Sequence, residues 1–312
     1  MRAVQISQFG VEHVRVSELP DPAPGQGEVL IATEAATVNP ADVAVVTGAA
    51  APRLPAASAP PYTPGWDLVG RVVEVGESVA RSLIGSRVLG FSLWFESIRG
   101  THASSVALPI GNLVTAPDGL PPTQLTTVGL NGLTAWRALA DLKLADGETL
   151  VVTGAAGSVG GFAVELATAR GFTVIGVVHE AAKQDALDLG ASAVVSAEDP
   201  ELGAAVRAVV PGGADALLDT ASIAGPALAA IRDGGKYVTV TALPSSERGI
   251  DVFRSGGRMD APALGTLAEM ASAGRLHTPV AQTYDLDDAR AAYEAFAKQT
   301  GRGRIVLSFS QP

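Results

Sequence analysis

Apolar and polar residues change rhythm once along this 312-residue chain. Up to about residue 120 the apolar runs are short, as in Val29–Thr33, Leu68–Val75 and Arg87–Phe91, and Gly, Pro and Asp interrupt them. Runs bounded by turn formers predict strands of a β-rich domain. Between them, Gly48 to Pro64 is rich in Ala and Pro and has no period, so it reads as a long loop. Beyond residue 120, Ala-rich helical stretches alternate with Val/Ile/Leu runs. The pattern predicts strands at Thr149–Thr153, Thr173–Val178, Ala193–Ser196, Ala216–Asp219, Lys236–Thr241 and Val252–Arg254. Helices are predicted at Ser158–Arg170 and Ala181–Leu189. Near-continuous apolar strands separated by helices imply a parallel sheet covered on both faces. Two further helices, Ala263–Ala273 and Leu286–Lys298, lead to a last strand, Gly303–Ser308.

The chemical signal sits at the first of the parallel strands. Leu150–Thr153 runs directly into Gly154, Gly157 and Gly160, and a helix follows. A strand, a glycine turn and a helix N-terminus together form a diphosphate site, because close backbone approach and unpaired N–H groups meet there. Set against G-x-G-x-x-G, the aligned residues are Ala155, Gly157 and Gly160, so the first glycine is replaced. A dinucleotide site that prefers NAD places an acid at the end of the second strand. Here that position is Val178, followed by His179 and Glu180. The missing carboxylate, with Lys183 and His179 nearby, points to NADPH. NADH is the alternative if Glu180 points inward.

Composition narrows the classes. Lys plus Arg total 22 against 32 for Asp plus Glu, a formal charge of -10, with no basic stripe for nucleic acid. There is no cysteine, which excludes disulfides, thiol nucleophiles and Cys-based zinc sites. Met1–Phe9 alternates like a strand and lacks a signal-peptide core. No apolar run reaches the roughly 18 residues of a membrane span. The cytoplasm is the expected location.

The motifs together resemble the medium-chain dehydrogenase/reductase superfamily, in its zinc-independent quinone oxidoreductase (zeta-crystallin-like) branch. Asn39-Pro40-Ala41-Asp42 is similar to that branch's N-P-x-D. Pro64–Gly70 with Val75-Gly76 resembles P-G-x-D-x-x-G…V-G, and Gly132–Ala135 resembles G-L-T-A. The turn Gly154–Gly160 resembles A-A-G-x-V-G, and Gly303–Leu307 resembles the terminal strand. The resemblance implies an α/β chain in which a Rossmann-type doubly wound parallel sheet is inserted into a GroES-like β-rich catalytic domain. The expected parts are residues 1–120, 121–262 and 263–312. It also implies a homodimer joined through the Val252–Met259 edge. Zinc-dependent members carry G-H-E where this chain has Gly65-Trp66-Asp67, so no metal is expected. His102 is isolated in the sequence and reads as a structural or surface residue. Ala49–Pro61 is longer than usual, and Ala221-Ser222 stand where relatives usually have glycine.

The function expected is hydride transfer from NADPH to a small-molecule quinone or α,β-unsaturated carbonyl. An enoyl-thioester reductase and a non-catalytic dinucleotide sensor are the alternatives. The resemblance places Asn39 and Thr134 at the nicotinamide end. Asn39 is read either as a donor to the developing oxyanion or as a turn residue before Pro40. Tyr62 is read as a proton donor or a pocket wall. Asp42 and Asp67 are read as structural carboxylates. Ala156, Gly157, Ser158 and Val159 would hold the diphosphate, and His179 and Lys183 the 2′-phosphate. Fold logic adds Thr241, Leu243 and Phe253 at the carboxyl ends of later strands, and the resemblance adds Arg304.

Overall fold

Strands whose two faces are both covered need apolar residues at every position, whereas strands with one wet face alternate. The two parts of the chain follow these two rules. A computed structural model describes residues 1–245, 247–256, 258–298 and 302–309. It divides into two units, Met1–Leu130 with the segment from Met259 onward, and Asn131–Arg258. The first division falls inside the helix Gly129–Leu142 rather than at residue 120. Among the described residues no helix is long and apolar enough to cross a membrane.

The first unit begins with β1 (Arg2–Ile6), β2 (Val14–Glu18), β3 (Glu28–Val38), β4 (Asp67–Val75), β5 (Arg87–Phe91), β6 (Ser105–Pro109) and β7 (Leu113–Thr115). The second contributes β8 (Thr149–Thr153), β9 (Thr173–Val178), β10 (Ala193–Ser196), β11 (Ala214–Asp219), β12 (Ile231–Thr239) and β13 (Asp251–Arg254). The chain then returns to the first unit with β14 (Val280–Asp285) and β15 (Arg304–Ser308).

In the first unit, β3 is the organising strand. Its N-terminal half pairs antiparallel with β4 and β6, and its C-terminal half pairs with β15, Val38 opposite Ile305. The sheet order is β14-β15-β3-β4-β5-β7, with β6 also on β3 and β1–β2 forming a separate pair. Val29, Ile31, Leu68, Val72, Val106 and Leu108 are buried together in its core. Asn39, directly after β3, opens the helix Pro40–Thr47 with Pro40 in the first turn. The Ala/Pro stretch contains only a short 3-10 turn, Ala51–Arg53.

In the second unit all six strands are parallel, in the order β10-β9-β8-β11-β12-β13. This is the doubly wound arrangement. The strand order reverses between β8 and β11, and sheets of this kind bind ligands beyond the carboxyl ends of the strands at that point. Val151, Ile175, Val177, Leu217 and Tyr237 are buried together in this core. β13 is one sheet edge, so Val252–Arg254 of the segment expected to join two copies lies on an edge. Gly257 of that segment lies outside the described residues.

Several boundaries differ from expectation. β12 starts at Ile231 rather than Lys236, because Arg232 and Asp233 sit at its exposed end, Arg232 Nε donating to Asp215 at 2.7 Å. The expected helix Leu286–Lys298 is a 3-10 turn, Leu286–Asp288, followed by the helix Ala289–Lys298.

Candidate active site

The glycine turn of the second unit forms the first part of the site. Gly154, just past β8, has φ +63, so the left-handed residue of the turn lies one position before Ala155. That offset explains how the turn tolerates alanine where the fingerprint has its first glycine. A Cβ on Gly160 would lie 2.1 Å from the Gly154 carbonyl oxygen, so only glycine fits where helix and strand meet. Gly157 caps the helix Ser158–Ala169 in an extended conformation, without a side-chain cap. No backbone carbonyl among the described residues accepts from the N–H groups of Ser158, Val159 or Gly160. These are the open donors of a helix N-terminus, where the backbone partial charge is positive. The turn therefore fits a diphosphate, with an exposed glycine at the point of closest approach.

The adjoining loop, after β11, is fixed by Asp219. Its buried carboxylate accepts from Thr153 Oγ1 (2.6 Å), Tyr237 Oη (2.6 Å) and the N–H groups of Ala221 (3.1 Å), Ile223 (3.3 Å) and Ala224 (3.0 Å). Burial pushes its pKa up, but these hydrogen bonds outweigh that and hold it below the usual carboxylate range. Burial and the Asp219 charge push the Tyr237 phenol up. Ser222 and Ala224 have φ values of 60 and 51, where a side chain is disfavoured. The Asp219 bonds keep the loop in that shape, and Thr220 Oγ1 lies 3.0 Å from where a Gly154 Cβ would be.

The other expected cofactor residues of this unit are distributed as follows. Val178 ends β9 and is buried. His179 is exposed, 3.1 Å from Glu198, and Lys183 lies 2.7 Å from Glu180. The attraction expected from Lys183 is therefore offset by Glu180, and the His179 ring is engaged by Glu198. Thr134 is buried on the helix Gly129–Leu142. Thr241 is bonded to Thr239 just past β12, Leu243 is exposed and Phe253 is half-buried on β13.

The first unit holds a buried polar network around Asp67. Its carboxylate accepts from the N–H of Thr37 (3.1 Å), the N–H of Leu130 (2.9 Å) and Asn39 Nδ2 (3.3 Å). Asn39 Nδ2 also donates to the Thr37 carbonyl at 3.2 Å, and Asp42 accepts from the Asn39 N–H at 2.8 Å. That last bond is the carboxylate arm of a capping box. Asn39 is wholly buried and its amide hydrogens have partners inside the chain. Asn39 is thus a helix cap that also ties Asp67 to Thr37.

His102 is buried in the same network. Nε2 lies 3.1 Å from the Thr37 carbonyl, which can only accept, so Nε2 carries the proton and Nδ1 accepts from Tyr293 Oη at 2.8 Å. Burial pulls its pKa down to about 4 against that bond to Thr37. Burial raises Asp67 to about 6 against its three donors, and raises Asp42 well above its ordinary value with Asp67 adding repulsion. Arg304, expected to reach the cofactor, is instead buried on β15. Burial lowers it to about 10, while the charges of Asp67 and Asp42 oppose that shift. The charges of Asp67 and Asp42 that act on it lie in the first unit. Tyr62 is also buried, its ring edge-on to Trp94 at 6.0 Å.

Two family models match the chain: the alcohol dehydrogenase GroES-like domain over residues 25–118 and the zinc-binding dehydrogenase over 189–307. A chloroplast envelope quinone oxidoreductase homolog from Arabidopsis thaliana is 31% identical over 264 residues, covering 79% of this chain and 76% of that one. The chain belongs to the medium-chain dehydrogenase/reductase superfamily, in its quinone oxidoreductase branch. A quinone oxidoreductase from Lama guanicoe is 28% identical over 330 residues, 98% of this chain and 97% of that one. In fold, this superfamily member matches the solved quinone oxidoreductase from Coxiella burnetii with a TM-score of 0.88 at 23% identity, each chain 99% covered. It is an oxidoreductase served by a nicotinamide dinucleotide. Zinc does not fit the residues present. There is no cysteine, Trp66 precedes Asp67, and no group of three or more His, Cys, Asp or Glu among the described residues could hold a metal.

Proposed function

We propose that this chain is an NADPH-dependent reductase that acts on a quinone or an α,β-unsaturated carbonyl and works without zinc. The observation that carries this reading is the set of open N–H groups at Ser158, Val159 and Gly160 beside the exposed Gly157. Those groups bind and orient the diphosphate of the coenzyme. Val178, in place of an acid at the end of β9, removes the charge that would repel a 2′-phosphate. The reduced nicotinamide, when bound, supplies a hydride to carbon, and with one proton the acceptor becomes a hydroquinone or a saturated carbonyl. The relatives named as quinone oxidoreductases support this acceptor class.

The test is fluorescence titration of NADPH and NADH against the wild-type chain and Gly157→Asp. Wild type is expected to bind NADPH more tightly than NADH. The added carboxylate, facing the diphosphate, is expected to weaken NADPH about a hundredfold or more, since like charges across an interface cost several kcal/mol. Unchanged affinity in the variant, or no affinity for either coenzyme in wild type, overturns the reading.

A further inference from the structure

The end of β9 lacks an acid, but the neighbouring strand brings one to the same place. All the groups concerned belong to the second unit. β10 runs parallel to β9 with Ser196 opposite Val178. Ala197 N–H then donates to the Val178 carbonyl at 2.8 Å, which carries the contact one residue beyond both strands. Neighbouring strands lie about 4.8 Å apart, so a glutamate leaving the end of one can span the end of the next. Glu198 does so. Its Oε1 lies 3.1 Å from His179 Nδ1, and both residues are exposed. Asp199, the next residue, is engaged elsewhere, its Oδ1 accepting from the Glu201 N–H at 2.8 Å.

The contact between Glu198 and His179 has a defined direction. A carboxylate oxygen can only accept, so Nδ1 is the donor and its hydrogen points at Glu198 rather than at an incoming phosphate. The second oxygen, Glu198 Oε2, accepts from no group among the described residues and is open to a ligand hydroxyl. Lys183 Nζ lies 2.7 Å from Glu180, so those two charges cancel. With the imidazole counted as neutral at pH 7, the charge left over among these four side chains is the negative charge of Glu198. An acid at this end of the second strand is what binds a ribose 2′-hydroxyl, and its charge opposes a phosphate on the same oxygen.

We propose that Glu198 supplies, from the neighbouring strand, the carboxylate that the end of β9 lacks: it accepts from the ribose 2′-hydroxyl of NADH, opposes the 2′-phosphate of NADPH, and so keeps NADH as a second coenzyme. The assignment rests on the reductase reading above. It makes Glu198 a determinant of coenzyme specificity and holds the preference for NADPH small.

Calorimetric titration of NADPH, NADH, 2′,5′-ADP and 5′-AMP tests this with wild type, Glu198→Gln and, as a control, Glu201→Gln, each as the full chain. Both glutamates are exposed, so neither substitution touches the core. Glu198→Gln is expected to tighten NADPH and 2′,5′-ADP about fivefold, the size of one exposed charge interaction, and to weaken NADH and 5′-AMP about threefold. The gain for 2′,5′-ADP is expected to vanish in about 1 M salt, where charges are screened beyond about 3 Å. Glu201→Gln is expected to leave the ratio of NADPH to NADH affinity unchanged. An unchanged ratio in Glu198→Gln, an equal shift in Glu201→Gln, or a wild type that binds and oxidises NADPH but not NADH overturns the assignment and leaves the reductase reading standing. The expected shifts in a chain that oxidises neither coenzyme with menadione or crotonaldehyde support the assignment and reject the reductase reading. No affinity for any of the four ligands overturns both.

Discussion

Around Asp67 in the first unit, conspicuous side chains turn inward. The amide of Asn39, the imidazole of His102 and the charge of Arg304 all meet partners or counter-charges within the unit. After Thr153 in the second unit the reverse holds. The groups left open are the backbone N–H donors of Ser158, Val159 and Gly160, which follow the exposed Gly157. The contrast teaches that chemical prominence in a sequence is a poor guide to availability. A buried polar side chain must be satisfied, and satisfying it removes it from ligand chemistry. A helix N-terminus carries unsatisfied donors by construction, so it is available unless something caps it.

The largest test of this contrast is Arg304→Met. It removes the buried cation whose charge favours ionised Asp42 and Asp67 and is expected to cost about 1 to 3 kcal/mol of unfolding free energy, as for removing one member of a set of buried charges. NADPH affinity should stay unchanged. A stable variant with weakened coenzyme binding would return Arg304 to the cofactor site and dissolve the contrast.

The next test uses pH. Folded His102 titrates at about 4 and its ordinary value is 6.5. Between these values the unfolded chain binds the extra proton, so the His102 contribution to stability grows as pH rises from 4 to 6.5. Asp67, raised to about 6 from 3.8, acts in the opposite sense, since its stabilising contribution is present below pH 3.8 and is lost as pH rises through 6. Asp42, also raised by burial, acts in the same sense as Asp67. His102→Gln removes the first, and urea unfolding is expected to show stability falling by about 2 to 3 kcal/mol relative to wild type across this pH range. Parallel profiles for the two proteins would mean that His102 is not buried as a neutral group.

The smallest effect sharpens the other side of the comparison. Ala224 holds φ 51 beside the open turn. Ala224→Gly should relieve that conformation and stabilise the chain by about 1 kcal/mol, seen as a rise of a few degrees in Tm. A lower Tm would show that the loop after β11 does not need the left-handed conformation.

The sequence was most legible where both faces of a strand are covered. Thr149–Thr153, Thr173–Val178 and Ala193–Ser196 appear in the structure with the expected ends, because burial on both sides leaves an unbroken apolar run. The first half of β12 was hidden by Arg232, Asp233 and two glycines, which a run of apolar residues cannot include. The helix Pro40–Thr47 was missed because Val43, Val45, Val46 and Thr47 are β-branched and favour strands. Its signal was present in Asn39, Pro40 and Asp42, which are a cap, a first-turn proline and a capping-box acid. The sequence reads Asn39 as a donor or a turn residue and Asp42 as a structural carboxylate, neither of them as a helix start. The diphosphate turn was legible because its determinants are adjacent in sequence. The fates of His102 and Arg304 were not, since Tyr293 and Thr37 on one side, and Asp42 and Asp67 on the other, are brought to them only by tertiary folding.

The pairing of β15 on the C-terminal half of β3 has a consequence for biosynthesis. On the ribosome, Ala35 to Val38 emerge about 270 residues before their partners Ile305 to Ser308. During all of that interval one side of the strand offers unmatched amide and carbonyl groups to whatever lies nearby. The inserted parallel-sheet unit, whose contacts lie within one stretch of chain, is free to fold first as the polypeptide lengthens. Loss of the final strand would therefore leave a finished inserted unit attached to a permanently open, aggregation-prone sheet.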